Sequence, residues 1–112
     1  MRKFIFTTSW DDGSVLDLRV AEILDRHGMK GTFYIPKQFD GEGGKYSKYE
    51  RRLSEDEIRF ISSNHEVGGH SLSHRRLTDL TSEEADTEIR GSQEFLSKII
   101  SKNIDMFAFP GG

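Results

Sequence analysis

The chain contains no cysteine. Disulfides and thiolate metal sites are therefore excluded, while the redox compartment stays undecided. No apolar run approaches bilayer length, so no membrane span is expected. Blocks of basic residues are also missing: 16 Lys and Arg are scattered among 19 Asp and Glu, for a net charge of −3. Such a distribution offers neither a nucleic-acid footprint nor a basic membrane-surface helix. There is no internal repeat, low-complexity tract or interdomain linker. Arg2-Lys3 precede Phe4-Ile5-Phe6, but the apolar stretch ends at Thr7, too short for a signal h-region. A cytoplasmic location is the expectation.

What is present is a hydrophilic but foldable composition, 34% apolar and 31% charged over 112 residues, enough for one small domain. Strand and helix patterns alternate along it. Phe4 to Thr8 is a short apolar, β-prone run that predicts a buried strand. Ser14 predicts the cap of a helix running to about His27, with Leu16, Val20, Ile23 and Leu24 on one face and Gly28 at its end. Gly31 to Ile35 predicts a second strand closed by Pro36, and Phe39 to Tyr49 a glycine-bearing loop. Ser54-Glu55-Asp56-Glu57 is a capping box, followed by a short helix with Ile58 and Ile61 inward. Glu66 to Gly68 predicts a third strand. Thr81 to Glu84 is a second capping box, opening a helix to about Ser101 that buries Ala85, Ile89, Phe95, Leu96 and Ile99 or Ile100. Met106 to Phe109 predicts a fourth strand before Pro110-Gly111-Gly112.

The order β-α-β-α-β-α-β implies an α/β fold with a parallel sheet and right-handed crossovers. Sites in such folds gather at the C-terminal ends of strands. Asp11-Asp12 follow the first strand, His70 and His74 the third, and Pro110-Gly111 the fourth. Three chemistry-bearing segments thus fall at one end of one sheet.

Taken alone, Asp11-Asp12-Gly13 is an ordinary turn sequence. Its functional reading is that adjacent carboxylates diverge, so one binds a metal while the other accepts a proton from the metal-bound water. Trp10 either walls that pocket or belongs to the core. The spacing of His70 and His74 places both rings on one face of a helical turn, where they can share a metal. Alone, the pair also fits a polar loop; together with Asp12 it completes a three-ligand divalent site suited to metal-assisted hydrolysis. Ser71 and Ser73 are candidates for fixing the ring tautomers, or are solvated hydroxyls. His65-Glu66-Val67-Gly68-Gly69-His70 imitates the zinc-protease signature, but its histidines are one residue too far apart and glycines stand where a helix is needed. His65 is therefore read as structural and His27 as a helix C-terminal residue. Arg75-Arg76 is a solvated pair or an anion attractor.

These motifs together resemble the polysaccharide deacetylase family, the NodB-homology domain of carbohydrate esterases. Its first motif, Thr-Phe-Asp-Asp-Gly, is matched by Ser9 to Gly13 with conservative changes. Its second, His-Ser/Thr-x-x-His, is matched fully by His70 to His74. Gly31 to Pro36 and Glu66 to His70 also look like the family. The resemblance implies a distorted, TIM-like (β/α) barrel of which residues 1–112 form the first half, a single incomplete domain. It implies removal of acetyl groups from N- or O-acetylated sugars, with Asp11 as catalytic base. Asp12, His70 and His74 are the implied ligands of zinc or another divalent ion such as cobalt or nickel. Trp10, Pro110 and Gly111 are the expected substrate contacts. Two departures stand out. Ala108 occupies the place of the family's arginine, and the later motifs, with the histidine general acid, would lie beyond residue 112. A hydrolase of small amides or cyclic ureides, and a catalytically weak metal- or glycan-binding module, are the competing readings. Exposed edges on half a barrel predict homo-oligomers.

Overall fold

A computed structural model describes residues 2–38 and 51–112. The expected loop between Phe39 and Tyr49 lies outside the described residues. Three strands, β1 (Thr8–Asp11), β2 (Gly31–Ile35) and β3 (Glu66–Gly69), alternate with α1 (Asp17–Arg26), α2 (Glu55–Ser62) and α3 (Ser82–Ile100). A single 3-10 turn, Leu77–Asp79, precedes α3.

The sheet is parallel in the order β1-β2-β3, so each crossover moves one strand onward. Right-handed crossovers that always advance in the same direction leave every helix on one face, which is how a β/α barrel is wound. The helices meet in that order too, α1 against α2 and α2 against α3. Strand alternation divides the residues between the faces. Phe33 and Ile35 of β2 and Val67 of β3 enter a core with Ala21, Leu24, Ile58, Ile61, Leu96, Ile99 and Ile104. Each fully buried large side chain there contributes about 1.5–3 kcal/mol. The opposite face carries Thr32, Tyr34 and Glu66.

Several expectations are corrected. The first strand begins at Thr8, and Phe4, Ile5 and Phe6 are exposed. Thr8 already pairs with Gly31, the first residue of β2, so the chain before Thr8 runs past the end of its partner. Met106 to Phe109 does not form a full strand. It makes one parallel bridge, Gly69 to Phe107, with Gly69 N donating to Met106 O (2.8 Å) and Ala108 N to Gly69 O (2.9 Å). The ladder stops there because β3 ends at Gly69 and Pro110 has no N–H to continue it. Ser14 does not cap α1. Its hydroxyl accepts from Leu16 N (3.2 Å), and the helix starts at Asp17. Leu16 and Ile23 are exposed, and the buried stripe is Asp17, Ala21 and Leu24. The entry to α1 is set from outside the helix: Val15 N donates to Arg51 O (2.8 Å), and Ser14 bridges Arg52. In α3, Leu96 and Ile99 are buried as expected, whereas Ala85, Ile89, Phe95 and Ile100 are only partly covered.

Both capping boxes form. At the first, Ser54 N donates to Glu57 Oε2 (2.8 Å), and Arg51 reaches both Glu57 oxygens at 2.7 Å. The Arg51 hydrogen bond, and next the Ser54 amide, pull the Glu57 pKa from 4.5 down to about 2. The folded value lies below the unfolded one, so this stabilisation is complete above pH 4.5 and fades as pH falls toward 2. Glu57→Gln, which removes only the charge, is expected to cost about 0.5–1 kcal/mol at pH 7. Urea unfolding at a series of pH values should show the gap between wild type and variant closing below pH 4.5. A gap that stays constant down to pH 2 contradicts the assignment.

Candidate functional site

The C-terminal ends of β1 and β3 deliver the candidate residues. β1 ends at Asp11, and the chain then reverses through Asp12 (φ 81°) and Gly13 (φ 63°). Gly13 is pinned from both sides. Its carbonyl accepts from Leu53 N (2.9 Å), and a Cβ on it would lie 2.8 Å from Ile35 Cγ2. β3 ends at Gly69, and His70 follows at once.

His70 is 1% exposed, and its Nδ1 lies 2.9 Å from the Ala108 carbonyl oxygen. A carbonyl only accepts, so Nδ1 carries a proton, and in the neutral ring Nε2 presents a lone pair. That lone pair faces Asp12 Oδ1 at 3.3 Å. Acceptor thus meets acceptor, an arrangement that a proton or a metal cation between them reconciles. His74 Nε2 lies 3.0 Å from the same Asp12 oxygen, and the two rings meet edge to face at 4.9 Å. One donor atom from each of the three residues falls within 4.8 Å of the others. Burial lowers the His74 pKa; Asp12 opposes this and His70 adds to it. The lowered pKa favours the neutral imidazole, the form a metal requires. Two imidazoles and a carboxylate suit a borderline-soft divalent ion.

The route by which the histidines meet differs from the expected helical turn. Residues 70–76 form a loop without helix, in which Ser71 (φ 65°) and His74 (φ 60°) are left-handed. Ser71 and Ser73 do not touch the rings in the way proposed for fixing tautomers. Ser71 Oγ accepts from His74 N (2.8 Å), and Ser73 Oγ donates to Glu88 Oε1 (2.7 Å). The tautomer of His70 is set instead by the Ala108 backbone. A carbonyl leaves no mark in a sequence, so this contact was not legible there.

Asp11 shares a cross-strand row with Tyr34 and Gly68 and is exposed. Burial raises the Tyr34 pKa, and the charges of Glu66 and Asp11 raise it further. Trp10, 38% exposed, stands in the row of Phe33 and Val67, on the other face from Asp11. Pro110 and Gly111 line a cleft of about 490 Å³ with Arg76, Leu77 and Thr78. Its described walls include neither Trp10 nor the Asp12–His70–His74 trio. Arg75 and Arg76 are exposed. His65 is buried at the opposite end of β3. Its Nδ1 accepts from Gly31 N (3.1 Å) and its Nε2 lies 2.9 Å from Asp25 Oδ1, so it ties β2 to α1, in keeping with a structural role. His27 forms the exposed C-terminal cap of α1.

Gly13→Ala combines a left-handed backbone with a contact to Ile35 and is expected to destabilise the fold by about 2 kcal/mol. Urea unfolding measures this; a loss below about 0.5 kcal/mol contradicts the packing described.

A family model described as Polysaccharide deacetylase matches residues 2–112. No curated protein sequence matches the chain. Among solved structures, the deacetylase PplD of Streptococcus pyogenes, in complex with acetate, is similar with a TM-score of 0.84 and 18% identity. The alignment covers 99% of this chain and 48% of that one. Peptidoglycan deacetylase PdaC from Bacillus subtilis is similar at TM-score 0.70 and 23% identity, over 93% of this chain and 48% of its own. A family 4 acetyl xylan esterase from Clostridium thermocellum, in complex with a cobalt ion, gives 0.71 and 24%, over 93% and 47%. At these identities the likeness establishes the fold, and the chain spans about half the length of these structures. With a family model matched across residues 2–112, the chain belongs to the polysaccharide deacetylase family.

Proposed function

We propose that this chain carries the metal-binding part of a hydrolase that removes acetyl groups from N- or O-acetylated sugars. The observation that carries the reading is the His70 Nε2 lone pair set 3.3 Å from Asp12 Oδ1. With Nδ1 committed to the Ala108 carbonyl, a divalent cation is the natural occupant of that space at neutral pH. Asp12, His70 and His74 would hold it. Zinc suits the donors, and the cobalt ion of the Clostridium thermocellum esterase supports cobalt as a substitute. Such an ion supplies Lewis-acid polarisation of an acyl carbonyl and acidifies water.

The chain's own residues do the rest. Asp11, next to Asp12 and exposed, is assigned as the base that accepts a proton from the attacking water. Ala108 holds His70 in the tautomer that points Nε2 inward. The cleft bordered by Arg76, Pro110 and Gly111 is proposed to take part of the sugar. Trp10 is assigned no substrate contact, because its row faces away from Asp11. Among the described residues β1 pairs on one edge only, which supports self-association through the other. A dimer by sedimentation at micromolar concentration agrees with that; a monomer opposes it.

Calorimetric titration with zinc tests the site. His70→Ala is expected to weaken binding by about 100-fold or more, and Asp11→Asn to leave it nearly unchanged. In the protein bearing this domain, Asp11→Asn is expected to lower turnover of acetylated chito- or xylo-oligosaccharides by about 10²–10⁴-fold. Zinc binding indifferent to His70→Ala, or wild-type turnover by Asp11→Asn, contradicts the assignment.

A further inference from the structure

The loop that carries His74 is held in an unusual way. Ser71 and His74 both have positive φ without being glycine. Each such residue carries strain and persists only where the surroundings over-determine it. The loop also has inward backbone groups that no helix or sheet pairs, and buried amides must find acceptors. Its carbonyls are met by the segment after β2: Gln38 N donates to Leu72 O (2.8 Å) and Lys37 N to Ser71 O (3.4 Å). Two of its successive amides are met by one side chain from α3. Glu88 Oε2 accepts from Leu72 N (2.8 Å) and Ser73 N (2.9 Å), while Oε1 accepts from Ser73 Oγ (2.7 Å).

The surrounding helix face is shaped for this contact. Glu88, Gly91 and Ser92 share one face of α3 by their spacing. A Cβ on Gly91 would lie 2.5 Å from Leu72 Cδ1, so any larger residue there would have to displace the Leu72 side chain. Ser92 is fully buried against Gly69, the last residue of β3. The face therefore grips the chain from Gly69 to Ser73, with His70 inside the gripped stretch and His74 immediately after it.

We infer that Glu88 is a positioning residue for the metal centre: its carboxylate gathers the Leu72 and Ser73 amides and thereby fixes where His74 presents its imidazole. This rests on the metal reading of Asp12, His70 and His74. Glu88 acts through the backbone between the two histidines. Charge-assisted bonds to two successive amides are stronger than neutral ones and hold geometry closely.

The test is zinc titration calorimetry, together with the visible absorption of the cobalt-loaded chain. Glu88→Leu keeps bulk and removes both acceptors. It is expected to weaken zinc binding about 10–100-fold and to shift the cobalt band, as loss of a group that orients a ligand does. Glu88→Gln keeps an acceptor for the two amides and is expected to recover affinity to within about threefold of wild type, with the wild-type band. A purely structural role would lower the melting temperature of Glu88→Leu and leave the cobalt band in place, and that result overturns the inference. If Glu88→Leu does not fold, Glu88→Asp decides, since it keeps the charge but shortens the reach to both amides by one methylene. A shifted cobalt band in that variant supports the inference, and an unchanged band with wild-type affinity overturns it. Failure of the wild-type chain to bind either ion overturns the metal reading, and the inference with it. Wild-type binding that Glu88→Leu leaves untouched overturns the inference alone.

Discussion

Parallel pairing sets Asp11 level with Tyr34 and Tyr34 level with Gly68, and this register governs where the chemistry can be. Strand ends that lie level hand their following residues to a common space. Asp12 leaves β1 and His70 leaves β3 only one or two residues beyond that row. Because successive crossovers advance in one direction, the helices occupy one side and leave the strand ends open. The core of Phe33, Ile58, Leu96 and their neighbours holds this register in place, since a slip by one residue would send Phe33 to the opposite face.

Electrostatics at the strand ends follow from that placement. A carbonyl from the segment after α3 reaches His70 and decides which ring nitrogen carries a proton. The other nitrogen then confronts a carboxylate. Burial lowers the His74 pKa against the pull of Asp12. The site thus brings two imidazoles and a carboxylate together at the strand ends. The connection between Phe107 and Gly69 is short but consequential, because it brings Ala108 to His70.

Legibility in the sequence followed the range of the forces involved. Both capping boxes depend on residues three apart and were plain, as were the inward Ile58 and Ile61. Asp12, His70 and His74, singled out by side-chain types that metal chemistry favours, do come together. Features that depend on a distant partner were not plain. The start of β1 depends on where β2 begins, and the face of α1 depends on Arg51 and Arg52. The left-handed backbone at Ser71 and His74 has no glycine to announce it. Glu88 sits on a helix with other acidic residues, and nothing in its local sequence distinguishes it from a solvated one. Trp10 is next to Asp11 in sequence but stands in the row of Phe33, on the other face of β1.

Anomalous diffraction from crystals of the chain grown with zinc or cobalt, recorded at the metal's absorption edge, tests the central claim most directly. The account predicts one strong peak bonded to an Asp12 carboxylate oxygen and to Nε2 of both His70 and His74, with His70 Nδ1 still on the Ala108 carbonyl. A peak elsewhere, or bound metal that leaves these three side chains untouched, would contradict it.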